Sequence, residues 1–391
     1  MSEAFSLAPF EFLSAGRIVF GSGTAQTLGE RAKKLGARAL WVTGRDRARV
    51  AALEAQLQHA GIELAAVSVG AEPRVEDAVA AVAAGQRIGA QLVVACGGGS
   101  ALDLGKAAAA LLANPRDPLD FLETIGRGQP LTAGALPLIA LPTTAGTGAE
   151  VTKNAVLTSG QHGVKASLRH DSMLPAIALI DPQLTLSMPS AVTAATGLDA
   201  FTQCLEPFVS CAHNPLTDAL AWEGMKRGAR SLRLAFHDGT NLAAREDMAL
   251  CSLFGGLALA NAKLGAVHGF AAAIGGQLVA PHGAVCARLL PLVMQTNVAA
   301  LRARAPHSPL LRRYQEIAQL LTGSAGAGIE DGVAFVAELA HDLAIPALAS
   351  YGMTTSQIPS LVAKAAVASS TKGNPLVLTT AELTQVMERA L

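Results

Sequence analysis

From Gln91 to Leu112 the sequence reads QLVVACGGGSALDLGKAAAALL. The apolar run that ends at Cys96 predicts a buried strand, and the alanine- and leucine-rich run from Ala101 predicts a helix. Glycines let the backbone between them approach a ligand closely, and the start of a helix attracts phosphate oxygens through free N–H groups. The stretch therefore predicts a phosphate-binding turn made of Gly97, Gly98, Gly99 and Ser100. It matches neither GxGxxG nor a Walker A loop, so an ordinary glycine turn is the alternative.

Strands and helices alternate on both sides of this stretch. Such alternation predicts a parallel sheet that helices cover on both faces. A hairpin turn at Gln161–Gly163 is expected to join the strands Asn154–Thr158 and Val164–Leu168. The predicted strands are Arg17–Gly21, Ala37–Thr43, Glu63–Val69, Gln91–Cys96, Leu138–Leu141, Asn154–Thr158, Val164–Leu168 and Ala176–Asp181, and the predicted helices between them are Thr24–Leu35, Ala48–Gln58, Val75–Ile88 and Ala101–Leu112.

A second candidate loop follows the strand at Leu138–Leu141. It contains Thr143, Thr144 and Thr147 together with two glycines, and hydroxyl and N–H groups suit phosphate and ribose oxygens. A loop capped by threonines is the alternative, but two such loops on one sheet favour a cofactor crevice. Lys165, on a later strand, is a further candidate for a ribose or phosphate contact, the alternative being a solvated lysine.

Past Pro189 the β-branched alternation ends and long alanine- and leucine-rich runs predict helices only. We place the boundary at Asp181-Pro182, which gives a Rossmann-like α/β domain of residues 1–182 and an all-helical domain of residues 183–391. The predicted helices are Ser190–Val209, Pro215–Leu232, Leu242–Asn261, Cys286–Ala303, Leu310–Leu321, Ile329–Leu343, Thr355–Ala368 and Thr380–Ala390.

The composition excludes several classes of function. Of 391 residues, 51% are hydrophobic, and 30 basic residues balance 30 acidic ones, so no basic field is available for nucleic acid or an anionic membrane. No apolar stretch is long enough for a transmembrane helix, and the N-terminus does not resemble a secretory signal. Five scattered cysteines without a CxxC pair suggest a reducing compartment, the cytoplasm by default. A charged fraction of only 15% suggests that a homo-oligomer, most simply a dimer, buries part of the surface.

A possible metal site lies in the helical half. Asp199 and Gln203 are four residues apart, so on a helix they share one face and offer a carboxylate and an amide oxygen. His268 and His282 each lie beside glycines in apolar surroundings, where an imidazole is accessible to a metal. Ordinary core histidines are the alternative.

Taken together, these motifs resemble the iron-containing (group III) alcohol dehydrogenases over nearly the whole chain. The resemblance rests on Gly97–Ser100 followed by Asp103 and Lys106, on Pro142–Thr152, on Asp181-Pro182, on Gly197–Ala200, on Gly265–His268 and on Pro281–Gly283.

The resemblance implies a function as well as a fold. It implies hydride transfer between NAD or NADP and a small alcohol, aldehyde or ketone in a cleft between the two domains, with a divalent metal as Lewis acid on the substrate oxygen. Asp199, His268 and His282 match three of the family's metal ligands and are the implied catalytic residues. The glycine loop, Asp103, the three threonines and Lys165 are the implied cofactor contacts.

Two positions depart from the family pattern. Gln203 stands where the family has a further histidine ligand, so either its amide oxygen or water is expected to complete the site, and zinc suits such a site better than iron. Ala272 stands where many members have a histidine that transfers protons, so a proton is expected to leave through water or the cofactor ribose.

The loop after the second strand bears on the choice of cofactor. Family members that prefer NAD often have an aspartate there, which accepts hydrogen bonds from the ribose, whereas this chain has Gly44. Arg45 and Arg47 follow and suit a 2′-phosphate, so NADP is favoured over NAD. A solvated basic loop, with Asp46 on the ribose, is the alternative.

Three other functions stay open at this stage. A maleylacetate-reductase-like enzyme would share the fold with altered or absent metal ligands. A dehydroquinate-synthase-like lyase is less favoured, because no dense basic cluster accompanies the ligand motifs. A metal- and nucleotide-binding protein without catalysis is the third.

Overall fold

The computed structural model of the chain describes residues 9–70, 72–160 and 164–391. Its N-terminal half contains a six-stranded sheet in which every pairing is parallel, as predicted. The strands of the described chain are β1 Ile18–Phe20, β2 Arg38–Gly44, β3 Glu63–Val69, β4 Leu92–Gly97, β5 Leu138–Pro142, β6 Asn154–Ser159, β7 Val164–Arg169 and β8 Ile177–Ile180.

The strand order in the large sheet is β1-β8-β5-β4-β2-β3. The chain thus leaves β3 at one edge and returns past β2 to form β4, so the direction of winding reverses between β2 and β4. A cofactor crevice forms at the carboxyl ends of strands at such a reversal. Strands β6 and β7 do not extend this sheet but pair with each other in antiparallel fashion, because a short connection can only join antiparallel neighbours. The predicted turn at Gln161–Gly163 lies outside the described residues.

Side-chain alternation along the central strands explains the layered core. In β2, Leu40 and Val42 contribute to one apolar cluster, whereas Trp41 between them contributes to another. In β4, Val93 and Val94 divide in the same way. Successive side chains of a strand point to opposite faces, so both faces of the sheet are buried under helices. The helices of this half are α1 Leu28–Lys33, α2 Ala51–His59, α3 Val75–Ile88, α4 Gly99–Ala113 and α5 Pro118–Phe121.

The rest of the chain is helical, which confirms the predicted α/β-then-α architecture. Its longer helices surround one large apolar cluster. The helix predicted from Cys286 begins four residues earlier, at His282, directly after Pro281. The prediction missed this start because Gly283 has a low helix propensity. The helices are α6 Ser190–Phe208, α7 Pro215–His237, α8 Leu242–Asn261, α9 Ala266–Gly275, α10 His282–Arg304, α11 Pro309–Thr322, α12 Ile329–Asp342, α13 Ile358–Val367 and α14 Thr380–Ala390.

Helix α10 is long and apolar enough to cross a membrane when judged by length and composition alone. However, 72% of its apolar window is buried inside the protein. Its residues contribute to the large helical cluster, so it is a core helix of this fold.

Candidate active site

Two glycine- and threonine-containing loops lie side by side at the carboxyl ends of β4 and β5. The Thr143 N–H donates to the Gly97 carbonyl at 2.9 Å. A Cβ built on Gly98 would lie 3.4 Å from the Thr144 hydroxyl, and one on Gly99 would lie 3.0 Å from that of Thr147. The structure therefore brings the two loops predicted from sequence into contact with each other, beside the start of α4.

Asp103 and Lys165 have protein partners in the structure. The Asp103 carboxylate accepts from the Val156 N–H at 3.1 Å and from the buried Lys106 ammonium at 3.0 Å. Lys165 forms an ion pair with Glu72 at 2.5 Å. Both side chains thus have a structural role that the sequence did not reveal.

The loop after β2 lies at the same edge of the sheet. A Cβ built on Gly97 would be 3.2 Å from the Gly44 nitrogen, so this loop adjoins the glycine loop after β4. Arg45 donates through Nη2 to the Gly70 carbonyl at 2.8 Å. Arg47 pairs with Glu54, and Asp46 accepts from the Ala48 N–H and so caps a short helical turn.

Asp199, His268 and His282 converge from three different helices. Asp199 lies in α6, His268 in α9 and His282 at the first position of α10. Asp199 Oδ1 is 3.5 Å from His268 Nε2 and 3.9 Å from His282 Nε2, and the two imidazole centroids are 5.6 Å apart. The predicted grouping of these three side chains is thus present.

Glycines permit this convergence. A Cβ built on Gly283 would lie 2.2 Å from the Ala195 carbonyl oxygen, so α10 reaches α6 only because residue 283 has no side chain. A Cβ on Gly265 would lie 2.7 Å from a carboxylate oxygen of Glu206. The glycines beside each histidine therefore serve close packing around the site.

Glu206 orients His268. Its Oε2 lies 2.7 Å from His268 Nδ1, and its Oε1 accepts from the Val267 N–H at 2.8 Å. A carboxylate can only accept, so it fixes a proton on Nδ1 and leaves Nε2 free as a donor of electrons to a metal. Sequence reasoning missed Glu206, although it lies seven residues after Asp199 on the same face of α6.

Gln203 contacts Asp199 through its nitrogen. Gln203 Nε2 donates to Asp199 Oδ2 at 3.0 Å, whereas Gln203 Oε1 is buried without a hydrogen-bond partner among the described residues. The amide therefore holds the carboxylate oxygen that faces away from the imidazoles.

Cys286 is a fourth side chain at the site that sequence reasoning missed. Its Sγ lies 3.7 Å from His282 Nε2, one turn along α10. One donor atom from each of Asp199, His268, His282 and Cys286 falls within 4.8 Å of the other three. The four-residue spacing from His282 is the signal that could have found it, had the helix start been known.

The electrostatics of the site favour positive charge at its centre. Burial would raise the pKa of Asp199, but His282 and His268 outweigh burial and hold that pKa below its usual value. The charges of Cys286 and Asp199 raise the pKa of His282. Burial opposes a charged His268, yet Cys286 and Asp199 hold its pKa well above the usual range.

The arrangement fits a divalent metal. Asp199 Oδ1 and His268 Nε2 are buried and lack a hydrogen-bond partner among the described residues, which is costly unless another group satisfies them. Carboxylate, imidazole and thiolate are all ligands that zinc and related metals accept. A cation between these atoms would satisfy both of the unpartnered ones.

The α/β half packs directly against the helices that carry the metal donors. A Cβ built on Gly146 would lie 2.7 Å from Thr196 Cβ, so the β5 loop contacts α6 less than one turn before Asp199. A Cβ built on Gly275, at the end of the helix that carries His268, would lie 2.7 Å from Lys165 Nζ. Both contacts join the α/β half to the helices that carry the donors.

Comparisons with known proteins agree with this geometry. The family model for iron-containing alcohol dehydrogenases matches residues 15–182, and the model for the C-terminal part of that family matches residues 193–391. The 1,3-propanediol dehydrogenase of Klebsiella pneumoniae is 36% identical over 352 residues, which cover 86% of this chain and 87% of that protein.

Solved structures give the same result. A 1,3-propanediol oxidoreductase superposes with a TM-score of 0.91 at 33% identity, covering 98% of this chain and 100% of that one. The sulfoacetaldehyde reductase of Bifidobacterium kashiwanohense, solved with NAD+, superposes with a TM-score of 0.85 at 30% identity, covering 97% of this chain and 98% of that one. The chain therefore belongs to the iron-containing alcohol dehydrogenase family, and it is a metal-dependent, nicotinamide-linked oxidoreductase that interconverts alcohols with aldehydes or ketones.

Proposed function

We propose that this chain transfers hydride between NADP(H) and a small alcohol or aldehyde, with a divalent cation held by Asp199, His268 and His282. The observation that carries the proposal is the convergence of cation donors beside the two loops that suit a dinucleotide. One carboxylate and two imidazoles from three helices converge, and the β5 loop contacts the helix that carries Asp199 through Gly146 and Thr196.

The residues of the chain would divide the work between cofactor and substrate. The N–H groups at the start of α4, around Gly98 and Gly99, would bind the pyrophosphate, since they point out of a helix start. Thr143, Thr144 and Thr147 would bind phosphate and ribose oxygens. Asp103 would contact the cofactor in addition to its partners Val156 and Lys106, whereas Lys165 would have to leave Glu72 to do so.

The cation supplies a Lewis acid that stabilises negative charge on the substrate oxygen. The side chain of His282 is 36% exposed, so a substrate would reach the donor group from the side of His282. Ala272 offers no ionisable group, so the alcohol proton would leave through water or a ribose hydroxyl.

NADP preference is supported by the loop after β2. A Cβ built on Gly44 meets no described atom within 4 Å, which leaves room for a 2′-phosphate, and Arg45 is held beside this space by its bond to Gly70. Arg47 gives less support, because Glu54 already neutralises it. We propose zinc over iron as the cation. The domain boundary between residues 182 and 183, the homodimer and the cytoplasmic location stay predictions.

The test of cofactor preference uses Gly44→Asp. The free space accommodates the new side chain, whose carboxylate would repel a 2′-phosphate and accept from a ribose hydroxyl. We expect the ratio of kcat/KM for NADPH to that for NADH to fall by about tenfold or more, since a hydrogen bond to a charged group contributes about 1.5–3 kcal/mol. An unchanged ratio would count against NADP preference.

The test of the whole function measures metal content and turnover together. Purified protein would be stripped with a chelator and reloaded with zinc or iron. It would then be assayed with aldehydes and NADPH or NADH, and with alcohols and NADP+ or NAD+, including 1,3-propanediol, the substrate in the name of the relative from Klebsiella pneumoniae. His268→Ala should lose metal and activity together, whereas the exposed His307→Ala should keep both. Full activity in metal-free protein would overturn the proposed role of the cation.

A further inference from the structure

We infer that Cys286 is the fourth protein ligand of the cation, and that Gln203 is a positioning residue which holds Asp199 and does not ligate. The inference rests on the proposed function for the presence of a cation. It adds a thiolate to the donor set and removes the amide oxygen from it.

The first support is the position of the thiol. Cys286 is fully buried, and its Sγ belongs to the group of four donor atoms that lie within 4.8 Å of one another. His282 and Cys286 lie one helical turn apart, so α10 presents imidazole and thiol on one face. Asp199 Oδ1 and His268 Nε2, both buried and unpartnered among the described residues, belong to the same group.

The second support is the orientation of Gln203. Asp199 Oδ1 faces the two imidazoles, whereas Gln203 Nε2 donates to the other oxygen, Oδ2. Reversing the amide would set its oxygen against the carboxylate, and two acceptors repel. The charge of Asp199 therefore dictates the amide orientation and turns Nε2, not Oε1, of Gln203 toward the carboxylate.

The proposed donor set has a defined chemistry. One carboxylate oxygen, two imidazole nitrogens and one thiolate suit zinc, cobalt or iron(II), whereas magnesium and calcium prefer oxygen ligands alone. Zinc can take a fifth ligand, so four protein donors do not close the site to a substrate.

The test begins with the full-length wild-type protein and needs no variant. Zinc-loaded protein would be studied by X-ray absorption at the zinc edge. We expect one sulfur ligand at about 2.3 Å and nitrogen or oxygen ligands at about 2.0 Å. Bound zinc without a sulfur ligand would overturn the role of Cys286 and leave the proposed function standing, whereas failure to bind zinc or cobalt would overturn both.

Cobalt-loaded variants give the second readout. Wild-type protein should show a thiolate-to-cobalt charge-transfer band in the near ultraviolet. Cys286→Ser should lose this band and bind metal about tenfold or more weakly, the size of effect that even outer partners of a metal produce. Cys251→Ala removes a different fully buried thiol, on α8, and should keep the charge-transfer band and the metal affinity. Circular dichroism would show that each variant is folded.

Gln203→Leu separates the two roles. We expect it to keep the charge-transfer band while metal affinity falls, because Asp199 loses its orienting donor. Loss of bound cobalt in Gln203→Leu, together with full retention in Cys286→Ser, would reverse the assignment and overturn the inference.

Discussion

Glu206→Gln tests whether His268 is oriented for metal binding by its carboxylate partner. In the wild-type protein the carboxylate faces two groups, with Oε1 accepting from the Val267 N–H at 2.8 Å and Oε2 lying 2.7 Å from His268 Nδ1. Glu206 is only 4% exposed, so water cannot readily replace either contact. Glutamine has the same shape but one acceptor oxygen and one donor nitrogen. One of the two contacts must therefore be lost.

Either outcome has a calculable cost. If the amide oxygen stays with His268, the buried Val267 N–H loses its acceptor, which costs about 1–3 kcal/mol of folding free energy. If the oxygen stays with Val267, the amide N–H forces His268 to carry its proton on Nε2, which then cannot bind a cation. Loss of such an orienting partner lowers metal affinity by about 10–100-fold, or about 1.4–2.7 kcal/mol.

The assay is competition for zinc with a chelator of known affinity, accompanied by thermal unfolding of the metal-free protein. Glu150→Gln is the matched control, because it makes the same change at a buried carboxyl whose charged neighbour is Lys106 and not a histidine. We expect weaker zinc binding in Glu206→Gln alone. Zinc affinity and metal-free stability both equal to wild type would refute the reasoning that Glu206 sets the tautomer of His268.

Three further predictions concern packing and pH. Gly283→Ala would press a methyl group against the Ala195 carbonyl, so we expect a loss of about 1–3 kcal/mol and weaker zinc binding, whereas Gly326→Ala, with no described neighbour closer than 3.9 Å, should change neither. Burial raises the pKa of Glu150 to about 7 from 4.5. Because the folded state resists ionisation, wild-type stability should fall by about 3 kcal/mol as the pH rises through this interval, and urea unfolding of Glu150→Gln should lack that fall. Burial would raise the pKa of Asp247, but Ser231 and Arg230 outweigh it and hold that pKa below its usual value. Its stabilisation is therefore present above the unfolded pKa and is lost in acid, and Asp247→Asn should cost about 1–3 kcal/mol near neutral pH and less in acid, as measured by urea unfolding.

The α/β half was predictable because its signals are local. A central strand that is buried on both faces must be apolar throughout, and β4 is such a run followed at once by glycines. Helix α3, Val75–Ile88, was predicted with its observed ends, since Gly89 adopts the left-handed conformation that ends a helix. The antiparallel pairing of β6 with β7 agrees with the predicted hairpin, but their separation from the large sheet was not predicted, because nothing within one strand says which sheet it joins.

The candidate site was predictable only in part, because its members come from distant segments. Asp199, His268 and His282 were candidates from their local settings, but only the resemblance grouped them as ligands of one metal, because no spacing rule specifies that α6, α9 and α10 cross at one point. Glu206 gave a local signal, since it shares a face of α6 with Asp199. The role of a buried glutamate can be inferred only when its hydrogen-bond partner is known. That partner, His268, lies on another helix.

The error in the start of α10 had a chemical consequence. With the helix predicted from Cys286, His282 lay before the helix, and the two residues had no predicted spatial relation. With the helix beginning at His282, the two side chains fall one turn apart on one face, the same relation that joins Asp199 to Gln203 on α6. The site thus contains two pairs spaced by four residues. Gln203 donates an N–H to the carboxylate of Asp199, whereas Cys286 offers its sulfur to the group of donor atoms. Gln203 therefore does not by itself indicate a site with a missing ligand, because a fourth donor is available from the other helix.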